Sequence, residues 1–477
     1  MIWMIRALRM PFTHFNFIPA HWHPYHLHLR YHHQGAFHVW DARGDDEDDL
    51  SYVPRTPACC CGHMGRVVDS SWSPDGRVLC TVSTDQTCRL WTASTVSTVS
   101  MTSIVLKDGE DGEQERSRER GNIWREVGRP QVHGHDFSCV AFVSNDVYVS
   151  GSDEKVLRVF SNAITDERGA RVRVKLPALG LSNVVDDEND DENDVDAKTI
   201  NNINSQHASI TEEDLSQNTL WPEVRKLYGH GNDLYSVAAD PKGRYVASAS
   251  RAQEQVSAAV IVWDASTWNE VARIVGHDLT VTCIACSPSG NLLATVGRDR
   301  KIIVWEMAGD DENDLSTWRI VASASKAHTR VIWGCSWLDE GRLVTCSRDG
   351  TVRVWGIGSG SEMGVVAEDH NDAEGCATVS IAKRGETKLG SSVMSVSACS
   401  RRDSDCQPVA AGLESGQVMI LEVNRNDDRI KVIATCSDGK QHAGAVRRVE
   451  FCPDPTVGGA VLSSVGDDGA VKFWQVM

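Results

Sequence analysis

The chain reads YGHGNDLYSVAADPKGRYVASASRAQEQVSAAVIVWD from Tyr228 to Asp264 and GHDLTVTCIACSPSGNLLATVGRDRKIIVW from Gly276 to Trp305. These are two copies of one pattern, with a Gly-His opening, an apolar run, a turn that holds Pro and Gly, an alternating strand and a β-rich close on Trp. Each copy predicts a small antiparallel sheet, which cannot bury both of its faces alone. Because such units must stack beside one another in a ring, the repeat predicts an all-β propeller.

The same pattern recurs along the chain with regular spacing. The opening His and the closing Trp are 91 − 63 = 28 residues apart between His63 and Trp91, and 305 − 277 = 28 residues apart between His277 and Trp305. A degenerate copy without the His covers residues 393–421. The remaining copies open at His135, His328 and His442. The seven complete copies have the pattern of WD40 repeats, so the sequence predicts a seven-bladed WD40 β-propeller.

The propeller is predicted at residues 52–477, after a segment of different composition at residues 1–51. This segment begins as a leader rich in His and aromatic residues, which we expect to be unstructured. It ends around Trp40 with the predicted closing strand of a preceding blade, a remnant whose other strands are missing, so we expect an N-terminally shortened protein. Tyr52–Cys59 should supply the outer strand of the last blade, because that pairing closes the ring and covers exposed sheet edges.

Acidic residues dominate the chain and one insertion within it. The formal charge is 48 − 66 = −18, which argues against general nucleic-acid binding, because such binding needs a basic face. An insertion at residues 161–220 contains the run DDENDDEND at 186–194. Because such a run cannot offset its ordering entropy, we expect a disordered, solvated loop; the alternative is a docking tail for a basic partner.

Two tracts raise the hypothesis of a metal site. Cys59–Cys61 are consecutive, so their side chains cannot all converge, and no second cluster with zinc-ligand spacing follows. The leader has the composition of His-rich metal-binding tracts, but an unstructured segment is the simpler interpretation. The 15 Cys of the chain are typical of small buried residues in a reducing compartment. With no phosphate loop, no paired carboxylates and no apolar run of membrane-spanning length, we predict no cofactor, no catalytic residue and no membrane contact.

The recurring His, turn Asp and closing Trp predict a hydrogen-bond network inside each blade, as in other WD40 repeats. A His beside an Asp is also the pairing used in acid–base catalysis. The structural interpretation is favoured because the pair recurs from blade to blade and no nucleophile recurs with it. The predicted sets are His63, Asp85 and Trp91; His277, Asp299 and Trp305; and His328, Asp349 and Trp355.

An arginine cluster is predicted on one face of this acidic chain. Three successive blades carry Arg at the same position, just after the second strand, and two more Arg lie close by in the turns and opening loops of the same face. Arg suits bidentate recognition of carboxylate or phosphate, so the cluster is a candidate partner surface. The alternative is local pairing, because two of the Arg precede an Asp. The five residues are Arg251, Arg298, Arg300, Arg330 and Arg348.

Several segments outside the generic repeat are more diagnostic than the repeat itself. They are Trp221–Gly231, Gly151–Phe160, Leu176–Asn183, His277–Thr282 and Gly297–Arg300. In these segments the chain resembles the WD40-repeat subunit two of the Elongator complex, and the similarity covers most of residues 35–477. That family has two seven-bladed propellers, so the resemblance implies that this chain carries the second and only a remnant of the first.

The resemblance implies a non-catalytic scaffold. Elongator modifies carbon 5 of wobble uridines in tRNA, and subunit two would bind the catalytic subunit, which joins an acetyltransferase-like and a radical S-adenosylmethionine domain, and the largest scaffold subunit. Contact with tRNA would be indirect, and the chain would lie in the cytoplasm and nucleus. The repeat alone also allows an independent adaptor that binds a peptide or histone tail through the central opening. An enzyme would need a catalytic constellation, and we find none.

Overall fold

The computed structural model of the chain describes residues 62–95, 122–163, 219–308, 315–359, 379–399, 405–436, 440–453 and 460–476, with Leu215 and six short strands outside these ranges. The leader apart from its strands, the Cys59–Cys61 tract and most of the 161–220 insertion lie outside the described residues.

The first sheet precedes the repeats and has four antiparallel strands in chain order. They are β1 (Phe15–Asn16), β2 (Leu27–Tyr31), β3 (Phe37–Arg43) and β4 (Ser51–Arg55). The strand predicted around Trp40 is present as β3. The sequence predicts no strand in the leader, yet β1 and β2 lie there. Residues 27–31 read LHLRY, an alternation of apolar and polar residues that is itself a strand signal and that the His-rich composition obscured.

Seven further antiparallel sheets follow in the described residues, and each forms one blade with its strands ordered from the centre outward. Blade 1 has β5 (Val67–Trp72), β6 (Val78–Ser83), β7 (Thr87–Thr95) and β8 (Asn122–Val132). Blade 2 has β9 (Phe137–Ser144), β10 (Val147–Ser152), β11 (Val156–Ser161) and, after the small hairpin β12 (Val174–Lys175) and β13 (Val184–Val185), β14 (Glu223–Tyr228).

The remaining blades repeat this order. Blade 3 has β15 (Leu234–Ala239), β16 (Tyr245–Ser250), β17 (Val260–Asp264) and β18 (Glu270–Ile274), with a 3₁₀ helix at Gln255–Ala258. Blade 4 has β19 (Val281–Cys286), β20 (Leu292–Gly297), β21 (Ile302–Met307) and β22 (Trp318–Ala324). Blade 5 has β23 (Ile332–Asp339), β24 (Arg342–Ser347), β25 (Thr351–Ser359) and β26 (Val379–Lys388). Blade 6 has β27 (Val393–Ala398), β28 (Cys406–Leu413), β29 (Val418–Asn424) and β30 (Ile430–Thr435), and blade 7 has β31 (Val446–Phe451), β32 (Ala460–Gly466) and β33 (Val471–Val476).

The innermost strands form the ring. Each packs against the innermost strand of the next blade, and β31 of blade 7 packs against β5 of blade 1. Side chains on these strands also accept backbone N–H groups of the neighbouring blade, as Ser71 does from Phe142 and Ser397 does from Phe451, both at 3.1 Å. The second strands are buried on both faces because blades lie on either side, as in β16, where all six residues are buried. The predicted seven-bladed, all-β propeller is confirmed.

The prediction of how the ring closes was wrong. Ser51–Arg55 pairs with β3, in a register that places Val39 opposite Arg55, and not with β33. Within the described residues blade 7 therefore has three strands. A short acidic connection joins β3 to β4, and neighbouring strands joined in this way readily form an antiparallel hairpin.

An aromatic cluster closes the ring in place of a shared strand. Phe473 of blade 7 stacks on Trp124 of blade 1, with ring centroids 4.3 Å apart and planes 6° apart. Trp72 meets Trp124 edge-on at 5.3 Å, and its indole N–H donates to the Glu450 carbonyl of blade 7 at 3.3 Å. Aromatic pairs of this geometry stabilise by about 0.5–1.5 kcal/mol beyond the area that they bury.

The tight turns between first and second strands explain the Pro/Gly signal. Gly76, Gly243 and Gly290 have φ values of +70°, +69° and +76°, a region in which other residues are strained. Each Gly donates its N–H to the carbonyl three residues earlier, for example Gly243 to Asp240 at 2.8 Å. Within the described residues, no helix is long and apolar enough to cross a membrane.

Candidate functional site

Blade 4 shows how the recurring His, Asp and Trp come together. The Nδ1 atom of His277 lies 2.9 Å from Oδ2 of Asp299, and its Nε2 atom lies 2.9 Å from the Thr295 hydroxyl. The Trp305 indole N–H donates to the same hydroxyl at 3.0 Å. The carboxylate needs a donor at Nδ1, which leaves Nε2 of a neutral imidazole to accept from the hydroxyl.

The same chain of four side chains recurs in three other blades. It joins Asp85, His63, Thr81 and Trp91 in blade 1; Asp349, His328, Thr345 and Trp355 in blade 5; and Asp468, His442, Ser464 and Trp474 in blade 7. The Ser or Thr that links His to Trp was missed from the sequence. Its signal is spacing, because it lies ten residues before the Trp in all four blades.

Blades 2 and 3 depart from this arrangement. In blade 3 His230 and Trp263 share Ser248, both at 2.8 Å, but Ala252 stands where the Asp would be. In blade 2 the sequence pointed to His135 as the opening His, which is wrong, because His135 is exposed. The buried imidazole is that of His133, which lies 3.1 Å from Glu154. Two His at neighbouring positions made the register ambiguous in the sequence.

Burial and hydrogen bonding set the charges in these networks. Burial lowers the pKa of His230 and of His328 to about 4, against the opposing charge of Asp349 in the second case. Burial would raise the pKa of Asp468, but hydrogen bonds from His442 and from backbone N–H groups hold it at about 2. The pKa values of Asp85, Asp299 and Asp349 are held low in the same way, against their burial. The imidazoles of His230 and His328 are therefore neutral at pH 7.

The blade networks are structural in their geometry. In blade 4 every nitrogen and oxygen of His277, Thr295 and Trp305 is hydrogen-bonded within the blade. Asp299 accepts the backbone N–H groups of Asp278 and Lys301 in addition to the imidazole, so its carboxylate holds the turn. Side chains engaged in this way have no free donor or acceptor for a substrate. Among the described residues no group of three or more His, Cys, Asp or Glu is placed to hold a metal ion.

Three of the five predicted arginines lie at one repeated position. In each blade the residue after the second strand donates its backbone N–H to the carbonyl just before the innermost strand, as Arg298 does to Thr280 at 3.0 Å. In blade order these residues are Thr84, Asp153, Arg251, Arg298, Arg348, Glu414 and Asp467. Because the bond ties the turn to the opening loop, both lie on one face. That face is thus basic in blades 3 to 5 and acidic in blades 2, 6 and 7.

The predicted alternative, pairing within the turn, does not occur. The carboxylates of Asp299 and Asp349 point inward and pair with His277 and His328. They therefore form no ion pair with the Arg that precedes each of them. Arg251 does have partners, with a nitrogen 2.7 Å from Asp153. Four exposed Arg of blades 4 and 5 have no ion pair with any described residue, and we call them the arginine sector. They are Arg298, Arg300, Arg330 and Arg348.

The backbone of Arg300 has a conformation that is unusual for a residue other than Gly. Its φ is +66°, in the left-handed region that favours glycine. The corresponding residue is Gln86 in blade 1, with a φ of +67°, and Gly350, Gly416 or Gly469 in blades 5, 6 and 7, each with positive φ. The left-handed backbone is thus a feature that this turn has in five blades, and it does not by itself mark Arg300 as functional.

Comparison with known proteins identifies the repeat. The chain matches the WD40 family, described as "WD domain, G-beta repeat", over five segments. These are residues 55–92, 221–264, 268–306, 320–356 and 431–475.

Full-length relatives share one name. Elongator complex protein 2 of Danio rerio is 31% identical over 505 residues, which cover 93% of this chain and 56% of the relative. Elongator complex protein 2 of Homo sapiens is 30% identical over 497 residues, with 93% and 56% covered. The Saccharomyces cerevisiae protein of that name is 33% identical over 318 residues, with 61% and 37% covered. The chain thus spans 56% of the length of the animal relatives that it matches.

Proposed function

The chain belongs to the Elongator complex protein 2 family of WD40-repeat proteins, and on this premise we propose that it is a non-catalytic scaffold subunit of the Elongator complex. It would support modification of carbon 5 of wobble uridines in tRNA by holding other subunits together. The observation that carries the proposal is the arginine sector, four Arg on one face that have no ion pair with any described residue, in a chain whose formal charge is −18.

The physical argument begins with what exposed Arg side chains recognise. A guanidinium presents a planar fork of N–H donors that matches carboxylate groups, and it is less strongly hydrated than an ammonium group. The four Arg of the sector lie in neighbouring blades and have no described carboxylate to neutralise them.

Under this proposal the partners are the catalytic subunit, with its radical S-adenosylmethionine and acetyltransferase-like domains, and the largest scaffold subunit. An acidic segment of one of them would lie on the arginine sector. Contact with tRNA would be indirect, because the formal charge of −18 repels a phosphate backbone. The subunit would lie in the cytoplasm and in the nucleus.

The alternative is an independent adaptor that binds a peptide or histone tail through the central opening of the ring. Its support is the presence of charged side chains on the innermost strand β31, which borders that opening. The two proposals differ in what travels with the protein in cells. A scaffold subunit remains with the same stoichiometric partners through purification, whereas an adaptor exchanges its peptide ligand.

The test is an affinity purification of the tagged chain from its own cells at about 0.15 M salt, close to physiological ionic strength. Mass spectrometry of the captured proteins should find a subunit with radical S-adenosylmethionine and acetyltransferase-like domains, together with a large scaffold protein. Capture of the chain with peptides or histones and without those two subunits would contradict the scaffold proposal and favour the adaptor.

A further inference from the structure

An insertion in blade 3 carries the most exposed of the described large apolar side chains. Residues 251–259 connect β16 to β17, whereas three or four residues make the same connection in each of the other blades. Val256 lies in the 3₁₀ helix of this insertion and is 81% exposed. A turn of three or four residues is sufficient to join the two strands elsewhere in the ring. The fold therefore does not require the extra residues, and loops of this kind commonly carry binding functions.

Hydrogen bonds hold the insertion in one position. Ala252 donates its N–H to the Thr280 hydroxyl at 2.9 Å, and its carbonyl accepts from the Thr280 N–H at 3.3 Å. Near the other end the Ser250 hydroxyl donates to the Ser257 carbonyl at 3.3 Å. Ala252 is buried, whereas Val256 between these two anchors is open to solvent. A ligand that covers Val256 would meet a preformed surface, which favours binding because little of the chain has to be ordered.

Three further exposed apolar residues lie on the same face beside blade 3. Tyr228 is 70% exposed just before the opening loop of blade 3, and Val275 and Leu279 are 45% and 37% exposed in the opening loop of blade 4. The residue after Tyr228, Gly229, accepts a hydrogen bond from the Arg273 guanidinium of blade 3 at 3.1 Å. We call the four apolar residues around blade 3 the apolar patch. They are Tyr228, Val256, Val275 and Leu279.

The other exposed large apolar residues of the described structure are scattered. Val224, Ile320 and Val432 lie in the outermost strands β14, β22 and β30, which belong to three different blades, and Met64 lies in the opening loop of blade 1. Single exposed apolar residues are ordinary on protein surfaces. Their concentration around one blade is instead typical of an interaction site.

The apolar patch borders the arginine sector. Thr280, which holds the insertion through Ala252, also accepts the backbone N–H of Arg298 at 3.0 Å. Of the exposed carboxylates close by, that of Asp278 lies 2.7 Å from the Lys301 ammonium group, and that of Glu254 lies on the insertion itself. This face therefore changes from apolar at blade 3 to basic at blades 4 and 5.

We propose that this composite face binds an amphipathic segment of a protein partner, with apolar side chains on the apolar patch and carboxylates on the arginine sector. The inference rests on the proposed scaffold function and deepens it, because it adds an apolar anchor to the acidic partner segment. Burial of the exposed apolar side chains supplies affinity. The charges set the direction of the segment, since Glu254 repels its acidic end and the arginine sector attracts it.

An affinity purification of the tagged full chain from its own cells tests the anchor. The quantities measured are the captured amounts of the radical S-adenosylmethionine subunit and of the large scaffold protein. Val256→Asp should lower the capture of at least one of them about tenfold, because it replaces an apolar contact with a carboxylate that repels the acidic segment. Val432→Asp is the matched control, the same change at an exposed Val in blade 6, and it should retain both proteins.

Thermal melts separate a lost contact from a damaged fold. Both variants should melt within about 2 °C of the unmodified chain, as surface changes do. Should Val256→Asp melt at a lower temperature, Val256→Ser introduces no charge and should still lower the capture about three- to tenfold through the lost apolar contact.

Photo-cross-linking identifies what covers the apolar patch. The amino acid p-benzoylphenylalanine in place of Val256 should form a cross-link, in the assembled complex, to one of the two Elongator subunits. The cross-linked peptide should carry Asp or Glu close to apolar residues. A cross-link to a second copy of this chain, to RNA or to a peptide without carboxylates would overturn the proposal.

The outcomes distinguish this inference from the proposed function. Absence of both Elongator subunits from the purified unmodified chain would contradict the proposed function and this inference with it. Full retention of both subunits by folded Val256→Asp would overturn the inference alone and leave the scaffold role intact. Reduced capture together with the expected cross-link would support both.

Discussion

Blades 3 and 4 come from two successive copies of the repeat, and they differ in the His network and in the pairing of the Arg that comes just before the Asp position. Blade 4 has Asp299, which completes the network of His277, whereas blade 3 has Ala252 there and retains only the shared hydroxyl between His230 and Trp263. The preceding Arg is free in blade 4 and paired with Asp153 in blade 3. Both blades nevertheless have the same four-stranded order. The four-stranded blade thus forms with the hydroxyl link and the packed Trp whether or not the Asp is present.

The largest effect should come from the feature that the two blades share. Trp305 and Trp263 are both buried, with 4% and 2% of their surface exposed. Trp305→Ala should lower the free energy of unfolding by about 3–5 kcal/mol, through lost burial and the cavity left behind. Trp263→Ala should cost the same in urea unfolding. A markedly smaller loss of unfolding free energy for Trp263→Ala would mean that the Trp stabilises the blade less when the Asp is absent.

The stability of the chain in acid should depend on the buried imidazole of His230 in blade 3. The folded pKa of His230 is about 4 and its ordinary value is 6.5, so the stability that it contributes is present above pH 6.5 and is lost as the pH falls through 4. The shift corresponds to on the order of 2–3 kcal/mol. His230→Gln should flatten the dependence of unfolding free energy on pH in this window. His328, whose pKa is also lowered, should still contribute to the remaining dependence of the unfolding free energy on pH. An unchanged slope in the variant would contradict the assignment.

Removal of the Asp from blade 4 should make it resemble blade 3. Asp299→Ala leaves His277 and two backbone N–H groups without their acceptor, and it should cost about 1–3 kcal/mol. Because the folded pKa of Asp299 is lowered, this contribution is present above its ordinary value of 3.8 and is lost in more acidic solution. Asp278→Ala is the control, an exposed partner of Lys301 whose loss should cost less than about 1 kcal/mol. Equal losses in both variants would argue against the network.

The smallest effects should separate the two surface arginines. Arg251→Ala removes an exposed ion pair with Asp153 and should cost about 0–1 kcal/mol. Arg298→Ala removes a side chain without an ion pair and should leave the unfolding free energy unchanged within about 0.5 kcal/mol. Thermal melts at two salt concentrations measure both, and only the first should depend on salt. A destabilised Arg298→Ala would mean that this Arg serves the fold.

The sequence predicted what is local and repeated. The Gly-His opening, the Pro/Gly turn and the closing Trp mark each blade within a short span, so the seven blades and the sets around His63, His277 and His328 could be read directly. The linking Ser or Thr was missed because such residues are frequent in strands, and only the constant distance to Trp distinguishes them. The constant spacing was present in the sequence and would have identified these residues.

The remaining errors concern choices between distant partners. Ser51–Arg55 had two sheet edges available, and the short connection to β3 decided the pairing over closure of the ring with β33. Whether Arg298 pairs with Asp299 depends on whether the carboxylate turns inward to a His that lies 22 residues earlier.

The central claim is that the arginine sector binds a partner, whereas the blade networks stabilise the fold. Its most direct measurement is a quantitative affinity purification that compares the unmodified chain with Arg298→Glu/Arg300→Glu and with Arg77→Glu, a control on the opposite face whose side chain is 83% exposed. The double variant should melt within about 2 °C of the unmodified chain, as surface changes do, and should lose most of its captured Elongator subunits. The control should retain them. Unchanged capture by a folded double variant would contradict the account.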